Sequence, residues 1–278
     1  MELFEDKSKN IRICANILHI GKNVKFGSNI NISVNGKFSI GDMSYLGKDI
    51  VMRGNNIEIG KYFYNSGNLR VGGGGRQHPN ANLTVGDRCT FCNNLLNLCE
   101  PIKIGNDVGL SEDVSLITHG FWLNVLEGYP AKFAGITIED GVIVGYRSVI
   151  LMGVSISKNI VIGANSTIVN SLTKKGIYAG SPAKFIKNII PLTQTDKENV
   201  TINIIEEYLK VAKYHNINPS IKLDYPVVTI NNIFSVNFET LEYSGKENYI
   251  TDDFRDYIRK WGIRIFTERP LKSNFKFY

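Results

Sequence analysis

Histidine is the side chain best suited to accept a proton near neutral pH, and this chain has four. His119 lies in SLITHGFWLNVLEG (residues 115–128), just after Leu116, where a regular spacing of aliphatic residues stops. A histidine at the edge of a loop could take the proton of a hydroxyl group and make its oxygen a nucleophile. It could also be a solvated turn residue. The residues alone leave both roles open.

The other three histidines are weaker candidates for this role. His19 directly precedes an inward-facing Ile20 and is expected to face outward. His215 lies near the end of a predicted helix, where the helix dipole favours a cation. His78 is the rival of His119, because it lies in VGGGGRQHPNAN (residues 71–82), which is predicted to be an exposed loop.

Three of the four cysteines are close enough in sequence to suggest a metal site. Cys89, Cys92 and Cys99 could bind zinc together with His78. A structural zinc motif normally offers a second ligand pair, which is missing here, and Cys89 falls where a small inward residue is expected. We therefore predict no metal site. The sequence has no G-x-S-x-G, and GGGG (residues 72–75) lacks the helix and lysine pattern of a phosphate-binding loop.

The composition is that of a globular protein suited to an anionic ligand. Of 278 residues, 43% are hydrophobic and 21% are charged, and the formal net charge is +6. The positive excess is spread along the chain, which disfavours nucleic acid and suits a phosphorylated cofactor or an acidic glycan. The acidic start is unlike a signal peptide, and no stretch has the roughly 20 apolar residues of a membrane span. We expect a cytoplasmic protein without an integral membrane segment.

A six-residue repeat is the strongest pattern in the sequence. Six hexads follow one another without a slip, and they begin at Ile138, Val144, Ile150, Ile156, Ile162 and Ile168. The residue four places after each start is also small or aliphatic: Val142, Ser148, Val154, Ile160, Ser166 and Leu172. This period is neither the 3.6 of a helix nor the alternation of a flat strand. It predicts three short parallel strands per coil, joined by tight turns and stacked into a triangular prism.

The repeat also appears upstream, and it breaks off once beside His119. The last run before the break comprises Ile104, Leu110 and Leu116, and the six-residue spacing of aliphatic residues returns at Ile138. One coil must therefore eject a loop, which we predict over residues 120–135. Counting hexads from Leu116 predicts that Gly120 points inward and that His119 projects outward at the root of the loop. Loops held by a rigid scaffold commonly carry function.

Over residues 15–188 these hexads resemble those of the hexapeptide-repeat acyltransferases. The most specific part is IVIGANSTIVNSLTKKGIYAGSPAKFIKN (residues 160–188), which looks like the last coil of the sugar and capsular polysaccharide O-acetyltransferase branch. ITHG followed by a loop is similar to the same branch. The resemblance implies a left-handed parallel β-helix that forms a homotrimer and uses acetyl-CoA. Many members have a tryptophan where this chain has Ile143.

The resemblance also implies an activity and a set of contacts. It implies acetyl transfer, in a ternary complex, to a sugar hydroxyl of a cell-surface polysaccharide (capsule or lipopolysaccharide) or its precursor, with His119 as general base. The positions that match the family's cofactor contacts are Gly145, Tyr146, Gly163, Ala164, Lys184 and Lys187. The candidate acceptor-binding residues are Asn93, Asn94, Glu100, Trp122 and Tyr129. N-acetylation of an amino sugar, acetylation of an antibiotic and a non-catalytic β-helix scaffold remain alternatives.

The repeat-bearing part, residues 1–190, is followed by a predicted α/β extension over residues 191–278. Thr195 and Glu198 are expected to cap a helix whose apolar face comprises Ile202, Ile205, Leu209 and Ala212. A second helix is expected to start at residues 251–253 and end at Gly262, with a strand over residues 263–266. Capping of the open end of the prism, glycan binding and protein contact all remain open as roles for this extension.

Overall fold

The computed structural model of the chain describes residues 1–73 and 78–271. The chain divides into two compact units, residues 1–189 and 190–278. In unit 1 each coil contributes short strands to three parallel sheets, here named faces A, B and C in the order in which the chain visits them. The predicted mainly β fold, a parallel β-helix with a small C-terminal α/β unit, is confirmed.

The three faces are built from short strands in register. Face A opens with Glu2–Asp6, antiparallel to the first of the parallel strands Ile11–Ala15, Ile30–Val34, Ile50–Gly54, Arg70–Gly72, Leu95–Asn97, Ser115–Ile117, Val149–Ile150 and Thr167–Ile168. Face B comprises Ile17–Ile20, Lys37–Ile40, Asn56–Ile59, Asn82–Val85, Ile102–Ile104, Ile136–Ile138 and Ser155–Ile156. Face C comprises Lys25–Phe26, Tyr45–Lys48, Tyr64–Gly67, Thr90–Phe91, Gly109–Leu110, Ile143–Val144, Val161–Ile162, Ile177–Ala179 and the antiparallel Lys184–Lys187.

The inward positions of the prism are the ones that the hexads predict. The six hexad starts from Ile138 to Ile168 are all buried, and so are the six residues four places after them. Every coil therefore places aliphatic side chains against those of the coils above and below it. Full burial of one such side chain stabilises the fold by about 1.5–3 kcal/mol relative to exposure.

Two of the three corners of the prism turn through residues with left-handed backbone. At corner CA, between faces C and A, these are Asn29, Asp49, Asn68, Asn93, Asp113, Arg147 and Asn165. At corner BC they are Asn23, Met43, Tyr62, Arg88, Asp107, Gly141 and Asn159. Asparagine and aspartate predominate because their short polar side chains tolerate this conformation best among non-glycine residues.

Corner AB, between faces A and B, is where the long connections leave the coil. One joins Arg70–Gly72 to Asn82–Val85 and the other joins Ser115–Ile117 to Ile136–Ile138. The centre of the predicted glycine-rich loop, residues 74–77, lies outside the described residues. The side chains on the long connections of unit 1 are therefore gathered along one edge of the prism.

The segment ejected beside His119 is an antiparallel hairpin. Its strands are His119–Gly120 and Lys132–Phe133, with a short 3-10 turn over Val125–Glu127. The prediction that Gly120 points inward was wrong: Gly120 is exposed, whereas Thr118 is fully buried. The chain leaves the coil only two residues after Leu116, so the hexad count no longer applies at Gly120.

Unit 2 consists of two helices and an antiparallel sheet. Helix α1 (Gln194–Tyr214) is followed by the strands Ile221–Asp224, Val227–Ile230, Phe234–Asn237 and Tyr243–Gly245, then by helix α2 (Tyr249–Ile258) and a 3-10 turn over Arg259–Trp261. Its core includes Tyr208, Phe234 and Phe254. Gly262 adopts a left-handed conformation where the helical segment was expected to end.

Several details of unit 2 differ from the sequence-based expectation. Helix α1 is capped by Thr193, whose hydroxyl accepts a hydrogen bond from the Asp196 amide, and helix α2 is capped by Asn248. The buried face of α1 includes Ile205 and Ala212 as predicted, but it is completed by Thr201, Ile204 and Tyr208, whereas Ile202 and Leu209 are exposed. Residues 263–266 form no strand. No helix among the described residues has the length and apolarity needed to cross a membrane.

Candidate active site

His119 is tied to the coil beneath it by its imidazole ring. Its Nδ1 lies 2.5 Å from Oδ1 of Asn97, at the end of the preceding face A strand. The side chain is half-buried, and its Nε2 has no hydrogen-bond partner among the described residues. A ring held at one nitrogen and free at the other can act in proton transfer.

Two phenylalanine rings of the hairpin pack around the imidazole. The Phe121 centroid lies 5.2 Å from that of His119, and Phe133 stacks on it at 5.9 Å with an angle of 15° between the planes. The two phenylalanines also stack on each other at 5.4 Å. These contacts fix the plane of the imidazole and exclude water from part of its surface.

A groove of about 560 Å³ opens beside the root of the hairpin. Its lining includes Gly120, Phe121, Trp122, Tyr129, Lys132 and Met152. Trp122 is 90% exposed and Tyr129 is 45% exposed, so both rings are available to a ligand. The structure thus brings two of the predicted acceptor-binding residues together in a groove that is also lined by Phe121, whose ring packs against His119.

His78 and Glu100 also lie at corner AB, but their polar groups are engaged. The backbone N–H of Asn80 donates to Nδ1 of His78 at 3.2 Å, which places the proton of a neutral ring on Nε2. His78 is therefore a poorer base than His119. The Asn80 amide also donates to Glu100 at 3.0 Å, and this bond joins the end of one long connection to the coil above.

Asn93 and Asn94 lie at corner CA and not beside His119. Asn94 is only 2% exposed; its Oδ1 accepts from the Cys92 N–H at 2.7 Å, and its Nδ2 donates to the Ser111 carbonyl at 2.8 Å. The expectation that Asn94 binds an acceptor was wrong, because its amide is consumed in holding the corner. Asn93 is exposed and bonds to Asp113.

The predicted cofactor-binding turns stack directly on each other at corner CA. The N–H of Asn165 donates to the carbonyl of Tyr146 at 2.8 Å, which joins the Gly145–Tyr146 turn to the Gly163–Ala164 turn. A Cβ on Gly145 would lie 2.6 Å from the Ala164 nitrogen, so only glycine fits there. Lys184 and Lys187 are both exposed on the last strand of face C. Within one chain these groups lie at a different corner from His119.

Cys89 faces inward as predicted. Cys89 is fully buried, its thiol donates to the Gly105 carbonyl at 3.1 Å, and burial raises its pKa to about 12. Such a thiol is neutral at physiological pH and is a poor metal ligand. The described residues contain no cluster of three or more metal-ligating side chains.

Sequence reasoning missed the residues that contact the imidazole. Asn97, Phe121 and Phe133 carry no motif of their own. The available signal was the strand register, which pairs Asn97 with Ile117, two residues before His119, across a spacing of twenty positions. That register can be read only once the coils are aligned.

Comparisons with known proteins show that this chain is similar in sequence to acetyltransferases. The chain is 31% identical over 127 residues to a candidate acetyltransferase, YJL218W, of Saccharomyces cerevisiae, covering 44% of this chain and 62% of that protein. It is 34% identical over 71 residues to a tetrahydropyridine-dicarboxylate N-acetyltransferase of Staphylococcus aureus strain JH9, covering 26% and 30%. The chain therefore spans less than two thirds of these relatives. No protein-family model matches it.

Solved structures include the polysialic acid O-acetyltransferase OatWY, with a TM-score of 0.45, 18% identity, and coverage of 66% of this chain and 98% of that one. The curated relatives are acetyltransferases and the chain forms a parallel coil of hexads, so the resemblance to the hexapeptide-repeat acetyltransferases is confirmed.

Proposed function

We propose that this chain is an acetyl-CoA-dependent O-acetyltransferase that works in the cytoplasm. Its acceptor is a sugar hydroxyl of a cell-surface polysaccharide, in capsule or lipopolysaccharide, or of its precursor. The observation that carries the proposal is His119 at the root of the hairpin, with Nδ1 bonded to Asn97 and an aromatic groove beside it. The curated relatives support acetyl transfer as the reaction class.

In the proposed reaction, Nε2 of His119 takes the proton of the acceptor hydroxyl while its oxygen attacks the thioester carbonyl of acetyl-CoA. The new C–O bond forms, the C–S bond breaks, and the imidazolium returns the proton to the leaving sulfur. Both substrates are bound together, so no acetylated enzyme forms. A positioned base of this kind contributes about 10²–10⁴ in rate.

The groove supports a sugar as the acceptor. Trp122 and Tyr129 offer ring faces on which a sugar ring can stack, and Lys132 places a positive charge in the same groove. A carboxylate on the sugar would pair with this charge. At the same corner, the carboxylate oxygen of Glu100 that Asn80 does not contact is proposed to accept a hydrogen bond from a second hydroxyl.

The donor is proposed to lie along corner CA. There Gly145, Tyr146, Gly163 and Ala164 present closely stacked turns, and Lys184 and Lys187 supply positive charge for phosphates. Because His119 lies at corner AB, a complete site would form between neighbouring copies of the chain, as the resemblance implies. Asn93 would then meet the acceptor from the neighbouring copy. Analytical ultracentrifugation would show a homotrimer.

The first experiment measures thiol release from acetyl-CoA with a panel of sugars and capsular oligosaccharides. We expect His119→Ala to lower kcat about 10²–10⁴-fold while acetyl-CoA binding is retained. His19→Ala is the matched control, because His19 is exposed on face B and lies outside the proposed site. Full turnover in His119→Ala would move the base elsewhere. Absence of both turnover and acetyl-CoA binding in the wild type would favour a scaffold.

N-acetylation is the second candidate, because one curated relative is named as an N-acetyltransferase. An amine is a better nucleophile than a hydroxyl and depends less on a base. If an amino sugar is the true acceptor, His119→Ala should therefore lower kcat by less than about tenfold. The panel should therefore include amino sugars and aminoglycoside antibiotics. Comparing their turnover with that of sugars that carry only hydroxyl groups distinguishes N-acetylation from O-acetylation.

A further inference from the structure

The amide of Asn97 is held in one orientation by its nitrogen. Nδ2 donates to the carbonyl of Gly73 at 2.9 Å. A carbonyl can only accept, so the NH₂ group must be the end that faces Gly73. The oxygen of the amide is thereby directed at Nδ1 of His119, 2.5 Å away.

The hydroxyl of Thr118 lies close to Asn97 but does not compete with His119 for Oδ1 of Asn97. Its hydroxyl oxygen accepts from the backbone N–H groups of Cys99 at 2.9 Å and Glu100 at 3.2 Å. Its single proton goes to the Asn97 backbone carbonyl at 2.8 Å, which is closer than Oδ1 at 3.3 Å. Oδ1 of Asn97 is thus left to the imidazole.

We infer that Asn97 is a positioning residue that fixes the tautomer of His119. An amide oxygen has no proton to give, so Nδ1 of the neutral imidazole must carry the hydrogen and Nε2 must carry the lone pair. Phe133, stacked on the ring, holds the plane in which that lone pair points. This inference rests on the proposed function, in which Nε2 is the base, but the tautomer itself is independent of any reaction.

The coil register explains why this contact is rigid. Asn97 ends a face A strand that pairs in parallel with the strand leading to His119, and Leu98 donates its N–H to the Gly72 carbonyl at 3.0 Å. Three successive coils therefore meet at the one amide. A base held in this way needs no rearrangement when substrates arrive, which favours catalysis by orientation.

The test compares wild type, Asn97→Ala and Asn97→Asp, with Asn31→Ala as the matched control on an exposed position of face A. Nitrogen-15 NMR of histidine-labelled protein reports the tautomer, and with four histidines the His119 signal can be assigned from its loss in His119→Gln. The second readout is kcat against pH with a saturating donor and acceptor.

We expect the wild-type signal to show hydrogen on Nδ1 and the Asn97→Ala signal to show a mixture or the other tautomer. The kcat of Asn97→Ala should fall about 10- to 100-fold with little change in KM. Asn97→Asp should retain the tautomer and recover most of kcat at alkaline pH. Its carboxylate stabilises the imidazolium, so the acid limb of the profile should move up by about one to two pH units.

Two results would overturn the inference: hydrogen on Nε2 in the wild type, or an unchanged tautomer and pH profile in Asn97→Ala. The NMR readout separates this inference from the proposed function. If the wild type neither binds acetyl-CoA nor acetylates an acceptor, but hydrogen on Nδ1 is lost in Asn97→Ala, the positioning role stands and the acetyltransferase proposal falls.

Discussion

Replacing Trp122 with alanine should weaken acceptor binding without unfolding the protein. The indole is 90% exposed, so its removal takes little buried surface from the fold. We therefore expect the free energy of unfolding to change by less than about 0.5 kcal/mol. Any larger effect of the substitution must arise from contact with a ligand.

The size of that effect follows from the ring area of Trp122. An aromatic side chain buries about 150–250 Å², and a stacked sugar would cover roughly a third of this, about 60 Å². At about 25 cal/mol per Å² the contact is worth about 1.5 kcal/mol. The KM for the acceptor should accordingly rise about tenfold. The kcat should change less, because the contact between His119 and Asn97 is untouched.

Leu126→Ala is the matched control for Trp122→Ala. Leu126 is 91% exposed on the same hairpin and does not line the groove. Initial rates of thiol release over a range of acceptor concentrations, together with the Tm of each variant, separate binding from stability. An equal rise of KM in both variants, or no rise in either, refutes the assignment of Trp122 to the acceptor.

Two further predictions concern the prism. A Cβ on Gly60 would lie 2.4 Å from Oδ1 of Asp87 and 2.6 Å from the backbone of the next coil, so Gly60→Ala should lower the free energy of unfolding by about 2–4 kcal/mol. Gly109→Ala is the control, because the new Cβ would meet only the flexible end of the Ile143 side chain, at 3.0 Å, and the free energy of unfolding should change by less than about 1 kcal/mol. Urea unfolding followed by circular dichroism measures both variants. Equal stabilities would contradict the stacking argument. Burial raises the pKa of Cys89 to about 12 from 9.0, so the unfolded chain loses this proton first, and the free energy of unfolding should fall between pH 9 and 12 by about 1.4 kcal/mol per unit. In Cys89→Val the free energy of unfolding should fall less steeply with pH over this range than in the wild type. Identical slopes for the two proteins in alkaline unfolding curves would show that the thiol ionises as easily in the folded state as in the unfolded state.

The repeat was predictable because its physical cause is local. A residue six places after Ile138 occupies the next face of the same coil, so the inward-facing positions recur at a fixed spacing that can be recognised in the sequence. The count failed at Gly120, since the chain leaves the coil at Thr118 and no hexad rule applies outside it. Tertiary packing overrode propensity in unit 2, where residues 263–266 have a strand-like composition and form no strand.

The candidate site was predictable only in part for the same reason. His119, Trp122 and Tyr129 could be found because they flank a visible break in the repeat. Asn97 could not, because its contact depends on which residues of two successive coils lie side by side. Asn94 was misassigned because burial of an amide at a corner leaves no mark in the sequence that distinguishes it from an exposed one.

The strand pairing at the base of the hairpin has a consequence for how such a protein can be altered. Leu116 pairs directly with Ile150 of the next coil, so the stack is continuous beneath the ejected segment. The hairpin projects from a coil stack that is continuous without it, and its tip contributes no residue to the buried core of the prism. The residues of its tip can be exchanged while Asn97, Phe121 and Phe133, which hold the His119 ring, are kept. In the proposed function, acceptor preference set at the tip and proton transfer at the root are therefore traits that can be engineered separately.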